Sequence, residues 1–473
     1  MLIINNLRII LFLALSALSI VAKTEDVTID SLLKNNTLPL VLIETIDEEW
    51  PTCERAQRPD GCFGEGITNA TKVPGRIRIE HQNSVLYDSG DYSDEEGVES
   101  GMIIRVRGNA STYHTPMPYK IKLNRKADLL MRGNDKKYAD KSWLLLKDGN
   151  LRKNIGFKMS ELMELQWTPA YRYVNVLFNG KYLGMYLLTE SVKRNNDCRL
   201  DVEKSGFIFE YDIYWWNEDL YVKSQIGRSE SMHYTFKYPD VEELTDEQLT
   251  YFKEMILRVE ESLSDGTYPD YIDIDSFVSW MLGHDILGNS DGIGSNIFLT
   301  KRDNSSDSKV MMANLWDCEH IFEMPDKWDK AHNMFYFNKL FNNKNNTFLE
   351  AYKKRWKDIN PTIFNELIAY LDSFSSSDTA KAIDELMPLN NDISDRQYGT
   401  VGQYVEEAKL WLIQRKQWLS DAIEKIPTSI KSLRIDNGIK NEPYYNLHGQ
   451  KVKPDHHGIF IQKGKKVLLK HSL

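Results

Sequence analysis

Apolar and polar residues alternate through much of the first 213 positions and recur at helical spacing from about residue 244, so the chain predicts a β-rich half followed by a helical half. Leu38 to Glu48 reads as a buried strand, and Gly75 to Glu80 with Ser84 to Tyr87 as a hairpin. Gly101 to Ser111 is a strand that ends in a tight turn at Gly108. In the next strand, Pro118 to Leu123, the side chains of Tyr119, Ile121 and Leu123 share one face while Lys120 and Lys122 share the other. Ser142 to Lys147 is a further apolar run, and Leu151 to Leu165 carries Ile155, Met159, Leu162 and Leu165 at helical spacing. Arg172 to Leu188 forms two strands about Asn179-Gly180, a pair whose tolerance of left-handed backbone marks hairpin turns. Gly206 to Ile213 adds one more strand.

The helical half opens at Thr245, an N-cap with Gln248 in the capping-box position, and its first helix runs to about Leu263. A second helix runs from Asp273 or Asp275 to Leu287, and others are expected over 348–373, 378–387 and 402–426. In the last of these Tyr404, Ala408, Trp411, Leu412, Arg415, Trp418 and Leu419 keep to one stripe, which reads as core packing. After Pro427 short strands separated by glycine turns predict a small β module. Its His448, His456 and His457 read as turn residues, since no acidic or cysteine spacing accompanies them.

The first residues change the picture of where the protein works. A short basic start, an apolar run from Ile9 to Ala22 and a polar Lys23-Thr24 have the pattern of a secretory signal, so the mature chain is expected to begin near Lys23 and to be exported to the periplasm, cell surface or medium. No later segment is apolar enough to span a bilayer. A chain of 473 residues exceeds what one core usually holds, and two or more domains are expected. The net charge of −10, without a long Lys/Arg run, argues against a nucleic-acid partner. Cys53 and Cys62 flank a polar stretch that could close as a disulfide loop in an oxidising compartment, and Cys318 reads as a small buried side chain.

Candidate chemistry lies between the second helix and the strand after it. Asp291 and Asn296 stand at the spacing of a protein-kinase catalytic loop, where an Asp receives the proton of the acceptor hydroxyl and an Asn five positions on holds Mg²⁺. The strand from Ile297, the polar turn after Arg302 and the strand leading to Trp316 predict a hairpin that returns Asp317 beside Asn296. Those two oxygen donors suffice for Mg²⁺, which usually takes only one or two from protein. The same residues also suit a capped turn between a helix and a strand, so the surroundings decide. Upstream, a strand, a small-residue loop and a Lys-bearing strand follow the order of a phosphate-covering kinase lobe, although an amphipathic hairpin with a solvated Lys face has the same pattern.

Several motifs occur in one order: Arg107-Gly-Asn-Ala-Ser with Tyr119-Lys-Ile-Lys-Leu, Lys147-Asp148 to Arg152-Lys-Asn154, Asn179-Gly-Lys-Tyr-Leu-Gly-Met-Tyr to Glu190, Asn289-Ser-Asp291 to Asn296, and Trp316-Asp317. Together they resemble the spore coat protein H (CotH) kinase-like family, over about residues 38 to 325. The tail resembles the C-terminal β modules of exported Bacteroidetes proteins. The resemblance implies an α+β chain with an atypical protein-kinase-like two-lobe fold, a β-rich N-lobe and a helical C-lobe. Its expected parts are a signal peptide (1–22), an N-terminal β region (23–100), the kinase-like domain (101–426) and the β module (427–473).

The implied activity is Mg²⁺- or Mn²⁺-dependent transfer of the γ-phosphoryl group of ATP to Ser of an exported or surface protein. Asp291 would be the base or orienter of the acceptor, and Asn296, Asp317 and Glu319 would serve the metal. Arg107, Lys120, Lys122 or Lys147 would meet phosphate, and Glu190 would lie near the nucleotide. Two positions depart from the family pattern. Thr115-Pro-Met-Pro stands where a basic residue is common, and Cys318-Glu319 follows Trp316-Asp317 where a second Asp is common. Two other functions compete: a non-catalytic interaction protein that keeps the scaffold, and a carbohydrate-associated surface protein suggested by Trp215-Trp216, Trp143 and Trp280.

Overall fold

The computed structural model describes residue 33 and residues 35–427, except 227–231, 293–295 and 324, together with short strands between 444 and 469. Ten strands lie before residue 191: β1 Leu40–Thr45, β2 Glu54–Arg55, β3 Ile67–Thr68, β4 Val73–His81, β5 Ser84–Asp88, β6 Met102–Val106, β7 Tyr119–Ala127, β8 Asp140–Leu146, β9 Tyr171–Phe178 and β10 Lys181–Glu190. Seven of them close on one another in the order β1-β9-β10-β8-β7-β6-β4, with β4 pairing back to β1, and β5 extends the sheet beyond β4. Closure comes from β1, which pairs with both β4 and β9. Val41, Ile43, Ile77, Ile79, Ile104, Ile121, Val174 and Val176 turn toward the common axis and form one buried cluster.

The outward faces differ around the barrel, and this decides where the site is. In β8 and β10 the outward Leu144, Leu146 and Leu187 join a second, larger core, so these strands are buried on both sides. In β6 and β7 the alternation instead turns Arg105 and Lys120 away from the barrel core. Between β8 and β9 lies α1 (Arg152–Leu162), whose first turn is fixed by Asp148. Its carboxylate accepts the backbone N–H groups of Lys153 at 2.9 Å and Asn154 at 3.1 Å.

The second half builds a five-stranded sheet, β11 Phe207–Asp212, β12 Tyr221–Val222, β13 His233–Tyr238, β14 Ile297–Lys301 and β15 Val310–Met312, in the order β12-β13-β11-β14-β15. Helix α2 (Asp246–Asp265) begins with the expected capping box at Thr245 and Gln248. Helix α3 (Ile274–Leu287) is capped by Asp273 and buries every residue from Ser276 to Leu287, as a helix enclosed on all sides must. It is followed by α4 Thr347–Ile359, α5 Ile363–Ser375, α6 Asp378–Ile393 and α7 Val401–Glu424.

The α+β class is as expected, but the two-lobe layout needs correction. The β-rich part is a closed barrel rather than an open kinase lobe, because β1 pairs with both β4 and β9. The later half is not purely helical, since β11 to β15 sit within it. The strands on either side of residue 100 belong to one sheet, with β4 paired to β6. The helix expected over 348–373 is two helices, α4 and α5, separated at Asn360-Pro361. Proline cannot donate the backbone hydrogen bond a continuous helix would need there. Cys53 and Cys62 are not joined by a disulfide, and their segment is closed by the β2–β3 ladder.

Strands Tyr444–Tyr445, Lys451–Val452, Gly458–Gln462 and Lys465–Leu469 form a separate four-stranded antiparallel sheet. The expected signal sequence and His448, His456 and His457 lie outside the described residues. No described helix is long and apolar enough to cross a membrane.

Barrel closure depends on close backbone approach at Gly75, where a Cβ would lie 2.4 Å from the carbonyl oxygen of Glu44 in β1. Gly75→Ala is expected to lower stability by about 1–3 kcal/mol, the usual cost of overpacking, as read from urea unfolding. An unchanged midpoint would show that the β1–β4 seam is loose.

Candidate active site

A cleft of about 860 Å³ opens between the polar outer face of β6–β7 and the second sheet. Arg105, Arg107 and Lys120 line it from the barrel side, and Glu210, Asp212 and Lys237 from β11 and β13. Asp291, Asn296, Asp317 and Glu319 line it from the loops flanking β14 and β15. The hairpin read from sequence is present, with Leu299 opposite Met312 and Lys301 opposite Val310.

The two acidic segments are tied to each other and to α1. The loop after α3 is held by Asn289, whose side-chain oxygen accepts the Asp291 N–H at 3.4 Å, and by Ser290, whose N–H donates to the His320 carbonyl at 3.1 Å. The Phe322 N–H returns to the Leu287 carbonyl at 2.9 Å. On the other side Arg152 donates to the Glu319 carbonyl at 2.7 Å, while the buried ammonium of Lys153 contacts Glu319 and sits 3.4 Å from Asp317. Burial opposes the charge on Lys153, but Glu319, Asp317 and Asp148 outweigh it and raise its pKa.

The barrel wall has the opposite imbalance. Arg105 and Lys120 are direct cross-strand partners, an arrangement of like charges that costs stability unless something compensates it. Desolvation, then Arg105 and Arg107, push the Lys120 pKa down to about 8. Burial also lowers that of Arg107, against the pull of Asp317 and Glu210. Among the described residues neither Lys120 nor Arg107 has an ion pair within 4.0 Å, whereas Lys237 bonds Glu210 at 2.9 Å. Asp291 is open to the cleft, yet the surrounding walls withdraw enough water to raise its pKa, and Asp317 adds to the rise.

The sequence pattern of the CotH kinase protein family matches residues 104–419, well over half of the chain. The chain belongs to the CotH kinase family. A search of curated proteins finds no match.

Within this CotH domain, Arg107, Lys120, Asp291, Asn296, Asp317 and Glu319 line the cleft, but three other candidates do not. Glu190 is 1% exposed and is used elsewhere. It accepts from Arg132 at 2.9 Å, Ala170 N at 3.0 Å and the Trp167 indole at 3.3 Å. Lys122 is exposed and outside the lining. Lys147 is half-buried and lines the smaller neighbouring pocket, where it donates to the Met185 carbonyl at 3.0 Å beside the Tyr186 ring, and desolvation lowers its pKa to about 7. The tryptophans do not present a sugar-binding platform. Trp143 and Trp280 are fully buried, Trp215 packs on Tyr221 and His233, and Trp216 donates to the Phe63 carbonyl at 3.0 Å.

Sequence reasoning missed Arg105, Lys153 and Arg396. The alternation of β6 puts Arg105 on the face of Arg107, and Lys153 lay inside a quoted motif, so both had a local signal. Arg396 lies between α6 and α7 and had none.

Gly156 gives a test of how tightly α1 holds the acidic turn. Helix propensity alone would make Gly156→Ala stabilising by about 1 kcal/mol, but a Cβ there would lie 2.3 Å from the Cys318 sulfur and 2.5 Å from its Cβ. Overpacking of about 1–3 kcal/mol should win. Chemical unfolding is therefore expected to show a destabilised variant, and a stabilised one would mean that the Asp317–Glu319 turn yields freely.

Proposed function

We propose that this CotH-family protein is an exported phosphotransferase that moves the γ-phosphoryl group of ATP to a Ser hydroxyl of another exported or surface protein. The observation that carries the reading is the convergence of Asp291, Asn296 and Asp317 opposite Arg107 and Lys120 in one cleft. Export rests on the N-terminal signal pattern in the sequence.

The donor set suits Mg²⁺ or Mn²⁺. Asp317 Oδ1 is buried and, although 3.4 Å from the Lys153 ammonium, accepts no hydrogen bond from a described residue, and Asn296 lines the same cleft. Among the described residues no group of three or more His, Cys, Asp or Glu would hold a metal by itself. Glu319 suits the metal less, because its oxygens already face Lys153 and, at 3.9 Å, Arg396. Asn296 and Asp317 would hold the divalent cation, which would supply positive charge to offset that of the phosphates.

The chain's own residues supply the rest. Arg105, Arg107 and Lys120 form a cationic wall for the triphosphate, whose charge relieves their mutual repulsion. Asp291 holds the acceptor hydroxyl and takes its proton, and its raised pKa makes it a stronger base than an ordinary carboxylate. One observation favours a non-catalytic scaffold instead: Lys153 already neutralises the carboxylates of Asp317 and Glu319, as a purely structural cluster would.

Calorimetric titration of residues 23–473 with ATP, with and without Mg²⁺ or Mn²⁺, separates the two. Metal-dependent binding that Asp317→Ala abolishes is the expected result, and no binding at millimolar nucleotide leaves the scaffold reading. A second expectation concerns pH. The Lys120 ammonium is present at pH 7 and is lost as pH rises through about 8, so triphosphate affinity should fall about tenfold toward pH 9, as for loss of one charged hydrogen bond. In Lys120→Arg the guanidinium stays charged and the profile should be flat. A flat wild-type profile would remove Lys120 from the phosphate wall.

A further inference from the structure

The connection between α6 and α7 reaches the cleft from the helical half, and it is held at both ends. The Asp395 N–H donates to the Thr115 carbonyl at 3.3 Å, and its carboxylate meets His114 Nδ1 at 2.9 Å, which fastens it to the loop that follows Arg107. Tyr398 exchanges two hydrogen bonds with Asn391, 2.8 and 2.9 Å long, and its ring lies against Gly149, where a Cβ would be 2.7 Å away. Arg396 stands between these two anchors. It lines the main cleft and also the smaller pocket shared with Arg107, Lys153 and Asp317.

The guanidinium of Arg396 is underused where it stands. Its side chain is 45% exposed, its one ion pair among the described residues is the 3.9 Å approach to Glu319, and no described hydrogen bond engages its five N–H donors. The other oxygen of that carboxylate already faces Lys153, so Glu319 holds Arg396 weakly. The strap's position is already fixed by Asp395 and Tyr398, so moving the Arg396 tip a short way costs only side-chain freedom.

We propose that the 394–398 strap delivers Arg396 as a further phosphate-binding cation, with Glu319 as its counter-ion while the cleft holds no anion. This rests on the nucleotide reading above and adds a residue from the far end of the domain to the phosphate wall. Arg396, which lines the same cleft as Lys120, then pairs with phosphate oxygens through its planar fork. Glu319 follows as a parking site rather than a metal ligand, which accounts for a Glu where a second Asp would reach less far.

The test is calorimetry with Mg²⁺-ATP and, separately, inorganic tripolyphosphate on wild type, Arg396→Ala and Arg396→Lys, each checked by thermal unfolding. About tenfold weaker binding of both ligands by Arg396→Ala, with an intermediate loss in Arg396→Lys and unchanged unfolding, is expected. Equal affinity of Arg396→Ala and wild type would overturn the role of Arg396 and leave the nucleotide reading standing. A loss confined to ATP, with tripolyphosphate unaffected, would also overturn it, since the contact would not be with phosphate. Wild type that binds neither ligand would sink the nucleotide reading and this inference with it. If Arg396→Ala is unstable, Arg396→Gln serves instead: it keeps a long polar side chain without the charge, and tripolyphosphate binding equal to that of wild type counts against the proposal.

Discussion

One buried ammonium joins the two halves of the molecule. Lys153 lies in the first turn of α1, just after the barrel strand β8, and reaches Asp317 and Glu319 in the turn after β15. Its backbone is fixed by Asp148, its neighbour Arg152 bonds the Glu319 carbonyl, and Gly156 one turn on lets the helix lie against Cys318. An unpaired charge at such depth would be far more costly than the pair is worth, so the acidic turn and α1 hold their positions together. Because the Asp291 loop is hydrogen-bonded to the same turn through Ser290 and Phe322, the placement of Asp291, Asp317 and Glu319 in the cleft follows from that contact.

The cleft is electrostatically polarised by construction. The barrel strands present Arg105 and Lys120 side by side, which a sheet selected only for stability would avoid. The facing loops gather Asp291, Asp317 and Glu319. Local rules broken on both walls of one cavity are the mark of a site at which stability is given up for binding. The two walls are not paired with each other. Lys120 and Arg107 keep no carboxylate within ion-pair reach among the described residues.

Behind the site a buried network keeps α3 rigid. The Asp285 carboxylate accepts from Tyr352 at 2.7 Å and from the Asp329 N–H at 3.3 Å, and it meets His332 Nε2 at 2.7 Å. Arg415, fully buried in α7, donates to the carbonyls of Asp285, Lys327 and Pro325. The stripe that read as core packing in α7 therefore contains one residue with a polar task. It ties the 325–332 segment and the helix that delivers Asp291 to the last helix of the domain.

The sequence by itself determined the local elements and several of the residues that line the cleft. Period-two alternation located β4, β7, β9 and β10, the capping box located α2, and the ordered motifs led to Asp291, Asn296, Asp317, Arg107 and Lys120. These signals are local, because strand faces, caps and turns depend on neighbours a few residues away. Tertiary structure decided the rest. That β1 closes a barrel with β4 and β9 is a pairing over more than a hundred residues, and alternation says only that a face is buried, not against what. The same holds for Glu190 and Lys147, whose residue types suited a nucleotide site but whose places in the fold gave them to Arg132 and to the Met185 carbonyl. It holds for Lys153 and Arg396 as well, since a charge acquires its role from the partner that folding brings to it, and those partners lie 166 and 77 residues away in the chain.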